Sequence, residues 1–295
     1  MPNNEHDGLN SLHGGNIGYD ARNWTVVQTN TSSITFSLFD PSGFQGSPGS
    51  VVRSSFIICA LRLIIQVTYV TYTLSSPARL TSRIVSMSLD QKTPIMLANH
   101  IYWNLGAFAQ PNILNDTLHL PYAKRSIATD GIQIPTGELD SLVYPWQSNP
   151  VPLNFTSPKR IGDGSEYSKQ CGTGCTGIDN AFIFDRPAYY SSQDSLEPYA
   201  LKWSSPDTGI TMTMKTNQGG LQIYDCLGQA GTVPVKASQK GSGVEFIQKY
   251  GCMVIETQEY IDAPNHPEWG VQDKVIYGPT DAPVVNFATY DFTIE

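Results

Sequence analysis

Residues Ile210-Thr-Met-Thr-Met-Lys-Thr216 alternate apolar and polar side chains with a period of two. An extended strand sends every second side chain to the same face, so this stretch reads as a half-buried β-strand with Ile210, Met212 and Met214 turned toward a core. The alternation recurs outward in both directions: Ile34, Phe36 and Leu38 in SITFSLFD, and Ala288, Tyr290, Phe292 and Ile294 at the far end. Between these segments lie Asp40-Pro-Ser-Gly, Ser76-Pro, Ser205-Pro-Asp-Thr-Gly and Asn217-Gln-Gly-Gly. Each can turn the chain through a proline-fixed φ or a glycine-permitted positive φ. No stretch holds a helical period for three turns, and no linker, low-complexity tract or short repeat divides the chain. The expectation is an all-β protein, a large β-sandwich or barrel, with residues 1–295 forming one domain.

Composition narrows the partners. The net charge is -8, with 26 acidic against 18 basic residues. Nucleic acid or an anionic membrane surface would demand a Lys/Arg-rich face, so neither is expected as a partner, whereas a neutral ligand such as a sugar fits. The most apolar stretch, Phe56 to Ile65, is interrupted by Arg62 and is far shorter than the roughly 20 residues a membrane-spanning helix needs. Met1 to Asn10 is polar and acidic, unlike a secretory signal. Four glycosylation sequons begin at Asn23, Asn30, Asn115 and Asn154, so a cytoplasmic and a secreted location both stand. Five cysteines leave at least one unpaired; Cys171 and Cys175, in a glycine-rich loop, suit one local disulfide. Lacking a second Cys/His pair at finger-like spacing, that pair is a poor zinc site, and no metal is expected.

One segment departs from the pattern. Val51 to Gln66 places a dense apolar run directly before Val67 to Leu74, which already reads as a complete strand. Residues 51–66 are an anomalous insertion, either an extra buried strand or a translated intron or similar gene-model error. A short apolar run cannot be assigned by pattern alone.

Chemistry is suggested at three places. Leu12-His13-Gly14-Gly15 sets a histidine in a turn whose glycines let the backbone approach a ligand closely. Asn99-His100-Ile101-Tyr102-Trp103-Asn104 puts a histidine among aromatic and amide groups just after the apolar Ile95 to Ala98, a neighbourhood suited to a sugar. In Gly251-Cys-Met-Val-Ile-Glu256-Thr-Gln258 a carboxylate emerges from an apolar strand, a setting that raises a carboxylate's pKa and suits a general base.

Taken in order, NSLHGGNIGYDARNW (10–24), TPIMLANHIYWNLGAF (93–108), IPTGEL (134–139), IDNAFIF (178–184), GGLQIYD (219–225) and GCMVIETQEYIDAPNHPEW (251–269) are similar to successive signature segments of the aldose 1-epimerase, or galactose mutarotase, family. The family fold is a large antiparallel β-sandwich of the galactose mutarotase type. The resemblance implies interconversion of the α and β anomers of an aldohexose by acid/base ring opening, with no cofactor, metal or covalent intermediate. In the segment resembling N-H-S-Y-F-N-L, His100 would be the general acid that protonates the ring oxygen. In the one similar to L-E-T-Q, Glu256 would be the base that takes the C1 hydroxyl proton. His13 would bond the substrate near the reacting centre, Asp179 would hold sugar hydroxyls, and Gln222 matches a glutamine that contacts substrate in some members. Such a mechanism needs His100 held in its protonated form by the charge of a nearby carboxylate and Glu256 kept ionised by a polar pocket. The implied partner is a small-molecule sugar, and the implied state a monomer or weak dimer.

Departures from the family pattern qualify this. Members usually carry several strands before the segment like L-H-G-G, including an Asn-Arg pair whose arginine helps hold substrate. Here the chain starts twelve residues before His13, which reads as an N-terminally truncated form missing edge strands and that arginine. Ile101 and Trp103 replace Ser and Phe, changes expected to alter which sugar stacks best. The competing readings are a non-catalytic carbohydrate-binding β-sandwich, a hexose-6-phosphate epimerase and a glycosidase. A phosphosugar enzyme would need an Arg/Lys cluster near the motifs. A glycosidase would need a carboxylate pair such as Asp179 and Glu256, which leaves the histidine segment without a purpose.

Overall fold

The computed structural model describes residues 3–41, 43–46, 64–144, 151–187, 199–239 and 243–295. Its strands are, in chain order, β1 (Thr25–Thr29), β2 (Ser33–Pro41), β3 (Ile64–Ser75), β4 (Arg79–Ser88), β5 (Thr93–Pro94), β6 (Tyr102–Trp103) and β7 (Thr117–His119). There follow β8 (Ala123–Thr129), β9 (Pro135–Ser141), β10 (Lys159–Arg160), β11 (Asp179–Phe184), β12 (Leu201–Ser204), β13 (Ile210–Thr216) and β14 (Gly220–Tyr224). Last come β15 (Val233–Pro234), β16 (Phe246–Ile247), β17 (Met253–Gln258), β18 (Ile276–Tyr277) and β19 (Val284–Ile294). Helix is confined to single turns among the described residues, as the missing 3.6-residue period predicts.

The chain divides into two units. One comprises the residues up to Ser75, Thr81–Leu97 and Ala263–Asn286; the other comprises Ser76–Leu80, Ala98–Asp262 and Phe287–Glu295.

In the first unit the strands lie in the order β1-β2-β3-β4. The β2/β3 ladder is antiparallel and runs from Ser33↔Thr73 to Pro41↔Ile64. The alternating SITFSLFD thus forms a strand whose period-two burial continues to its end, where an apolar residue takes the outer position and an acidic one the inner. Leu38 is buried, Phe39 is exposed, and Asp40 is buried. Asp40 is tolerated there because Arg22 donates to it at 2.8 Å and the Tyr19 hydroxyl at 3.0 Å, which satisfies the buried charge. Burial and the charge of Asp40 together push the Tyr19 phenol far above its ordinary value. The strand expected over Val67 to Leu74 starts three residues earlier, at Ile64. Gln66, within the segment singled out as an insertion, is buried and donates to Ser86 Oγ at 2.9 Å and Thr68 Oγ1 at 3.2 Å. Residues 51–63 lie outside the described residues.

The second unit is an antiparallel sandwich. One layer orders its strands β19-β13-β12-β7-β10, and the other is β6-β17-β14-β11-β8-β9. ITMTMKT is β13, and its register pairs Met212 with Trp203 and Phe292, and Met214 with Leu201 and Tyr290. Directly opposed residues share a face, so the core-facing rows assemble themselves: Trp203, Met212, Met214 and Tyr290 from one layer pack with Phe182, Leu221, Ile223, Met253 and Ile255 from the other. Burying each such side chain stabilises by roughly 1.5–3 kcal/mol. The Trp203 indole N–H donates to Asp116 Oδ2 at 2.8 Å. Burial pushes that carboxyl up to about 6.

Candidate active site

Register also decides what the outer face of the six-stranded layer carries. On β11, β14, β17 and β6 one cross-strand row reads Asp179, Tyr224, Val254, Tyr102, and the next reads Ala181, Gln222, Glu256. Since side chains alternate, these rows share the face opposite Met253, Ile255, Leu221 and Ile223. A single strand pattern therefore gives a dry face for the core and a polar face for chemistry. Val254 is buried although it belongs to the outer face, flanked in its row by two tyrosines.

His100, two residues before Tyr102, brings Nε2 to 3.4 Å from Glu256 Oε1. The histidine side chain is 34% exposed and the glutamate 15%, so the carboxylate is the more dehydrated partner. Burial first, and the charge of Asp179 second, push Glu256 up to about 7. The expectation of a pocket that keeps this carboxylate ionised is thus opposed by its burial and by Asp179, although its outer-face neighbours Asp179 and Gln222 are polar. Gln222 donates from Nε2 to Asp179 Oδ1 at 2.6 Å. Its carbonyl oxygen is buried and accepts no hydrogen bond from the described residues. Gln133, at φ +64 in the turn between β8 and β9, donates to the Asp179 carbonyl at 3.4 Å.

Four of the five expected site residues, His100, Asp179, Gln222 and Glu256, thus gather on one sheet face. His13 belongs to the first unit, at φ +52 in a turn continued by Gly14 and Gly15, both also at positive φ. Two groups near His100 differ from expectation. Asn104 is not open to a sugar: it donates to the Gly251 carbonyl at 2.8 Å and accepts from Phe108 N–H at 3.1 Å, tying β6 to the start of β17. Trp103 turns inward, its ring centroid 5.2 Å from Tyr290 and 5.7 Å from Phe292. It is Tyr102 that faces the site, with its ring 5.0 Å from that of His100.

Features not foreseen include a second disulfide. Beside the expected Cys171–Cys175 bond, Cys226 is bonded to Cys252. It extends the β14/β17 ladder two residues past the Tyr224↔Val254 pair. Next to it, buried Asp225 accepts from Ile178 N–H at 2.8 Å. Burial pushes it up to about 6. Asp225 is the last residue of the GGLQIYD segment, from which only Gln222 was singled out. Among the described residues, no three His, Cys, Asp or Glu side chains gather as a metal site, and no helix is long and apolar enough to cross a membrane.

The second unit is thus an antiparallel sandwich that gathers a histidine, two carboxylates and an amide on one sheet face. The fold is that of the galactose mutarotases: the crystal structure of galactose 1-epimerase from Lactobacillus acidophilus superposes with a TM-score of 0.71 at 22% identity, over 98% of this chain and 72% of that one. A family model described as aldose 1-epimerase matches residues 1–275. A probable aldose 1-epimerase of Arthroderma benhamiae is 44% identical over 312 aligned positions, covering 99% of this chain and 68% of the relative. The aldose 1-epimerase of Escherichia coli K12 is 26% identical, over 90% of this chain and 66% of that protein. The chain belongs to the aldose 1-epimerase family, a family of isomerases, and spans about two thirds of the length of these relatives.

Proposed function

We propose that this protein interconverts the α and β anomers of a free hexose, such as glucose or galactose, by acid/base ring opening. The observation that supports this most is the contact of His100 Nε2 with Glu256 Oε1 at 3.4 Å on a face shared with Asp179 and Gln222. An acid and a base this close can address two oxygens on one carbon, the C1 hydroxyl and the ring oxygen of a hemiacetal.

Glu256 removes the C1 hydroxyl proton while His100 delivers one to the ring oxygen, and the C1–O5 bond breaks to give the open aldehyde. Rotation about C1–C2 presents the other carbonyl face. Closure returns each proton with the two roles reversed, so the enzyme ends as it began. Asp179 and the Gln222 carbonyl accept hydrogen bonds from ring hydroxyls.

Polarimetry on freshly dissolved α-D-glucose and α-D-galactose, with the purified chain beside Glu256→Gln, tests this. The wild type should speed relaxation well above the uncatalysed rate and the variant should not. If the folded wild type gives no acceleration with either sugar, the proposal fails in favour of a carbohydrate-binding sandwich without turnover.

A further inference from the structure

We propose that Tyr102 is the aromatic platform of this site, a specificity-determining residue whose ring takes the C–H face of the hexose and, packed against the His100 imidazole, positions it. The inference rests on the epimerase reading and deepens it.

Three observations converge. First, β6 is only two residues long, and its two aromatic rings part company: Trp103 packs against Tyr290 and Phe292, whereas Tyr102 stands on the outer face, half exposed. Second, the outer face is striped. On β6, β17 and β14 the Tyr102–Val254–Tyr224 row presents rings and an aliphatic side chain before it ends at Asp179 on β11, and the adjoining row carries Glu256 and Gln222 before it ends at Ala181. A pyranose has the same division, a face of C–H groups and a rim of hydroxyls, so the stripe matches a sugar lying across both rows. Third, the Tyr102 ring contacts His100 at 5.0 Å with its plane tilted by 38°. The second tyrosine is pinned by its hydroxyl, which accepts the Gly228 N–H at 2.9 Å. Its ring can therefore close the far end of the same run of rings. Burial and the charge of Glu256 raise the Tyr102 phenol above its ordinary value.

The test uses the full chain with Tyr102→Ala, Tyr102→Leu and Tyr102→Phe, each checked for folding by circular dichroism. Leu keeps an apolar cover on Val254 without a flat ring, so it separates stacking from packing. Polarimetry should show KM raised roughly tenfold in the Ala and Leu variants, the size of one aromatic contact. Their kcat should fall severalfold, and the alkaline limb of the pH profile should move because His100 is less firmly held. Phe should restore KM and the limb. Glucose binding, measured by isothermal titration calorimetry in the Glu256→Gln background, should weaken by the same roughly tenfold when Ala is added. Folded Ala and Leu variants with wild-type KM and an unmoved pH profile would overturn the proposal. If wild type binds a hexose but does not turn it over, the epimerase reading fails alone, and calorimetry with Tyr102→Ala still decides: weaker binding supports the platform, and unchanged binding overturns it. A folded wild type that binds no hexose overturns both.

Discussion

Glu256 sits where burial and the charge of Asp179 both oppose its ionisation, and its carboxyl is raised to about 7. That conflict has a functional and a structural consequence. As the base, Glu256 must be ionised, so the acid limb of the pH–activity profile should fall near pH 7, well above the usual carboxylate range. Because His100 is 3.4 Å away, the limb belongs to the coupled pair. Replacing either residue, as Glu256→Gln or His100→Asn, should lower kcat by roughly 10²- to 10⁴-fold. The structural consequence has the opposite sign. A carboxyl with a folded pKa of about 7 and an unfolded one near 4.5 contributes stability only at low pH and loses it as pH rises through that window. Glu256→Gln should therefore melt higher than wild type at pH 8 by up to about 3 kcal/mol of stability, and no higher at pH 4. Calorimetric melting at the two pH values checks this. A variant less stable at pH 8 would show that the carboxylate's contacts outweigh its dehydration. His100, Asp179, Gln222 and Glu256 were legible in the sequence because each sits in a motif. Which of Tyr102 and Trp103 faces the site was not legible, since a two-residue strand has no phase of its own.

At the scale of elements, the β13 alternation predicted its inward Met212 and Met214, and the same logic works wherever one face is dry. It weakens for β17, whose residues Met253 to Ile255 are buried on both sides. No local pattern says that β17 pairs with β14, so neither the facing of Gln222 and Glu256 nor the Cys226–Cys252 bond could be foreseen across 26 residues of sequence. The bond lies four residues from both Gln222 and Glu256 and closes the ladder that aligns them. Cys226→Ser/Cys252→Ser should cost about 3 kcal/mol from loop entropy alone, against about 2 kcal/mol for the five-residue loop closed by Cys171–Cys175. Guanidinium unfolding of the two double variants compares them. A larger loss from the Cys171/Cys175 pair would mean that native-state strain, not loop length, controls both.

Among the described residues three buried carboxylates share one bias. Asp116 and Asp225 are raised to about 6 and Glu256 to about 7, each chiefly by burial. Their unfolded values lie near 4, so between pH 4 and 7 the folded state binds more protons than the unfolded chain. Stability must then fall as pH rises through that window and level off above it. Glu268 is held below the usual carboxylate range by its own backbone N–H and by His266, which opposes the trend, but it is fully exposed and the effect is screened. Net charge acts with the trend: at -8 and a sequence pI of about 5.1, repulsion among acidic groups eases toward pH 5. The expected outcome is a melting temperature higher at pH 5 than at pH 8 by roughly 5–10 °C, from a stability difference of a few kcal/mol. Asp225→Asn should flatten the dependence, because the amide keeps the Ile178 N–H contact without a proton to lose. A melting temperature that rises from pH 5 to pH 8 would mean that these buried carboxylates stay ionised in the fold. Glu256 would then reach its charged state at acidic pH, and the acid limb of activity would move down with it.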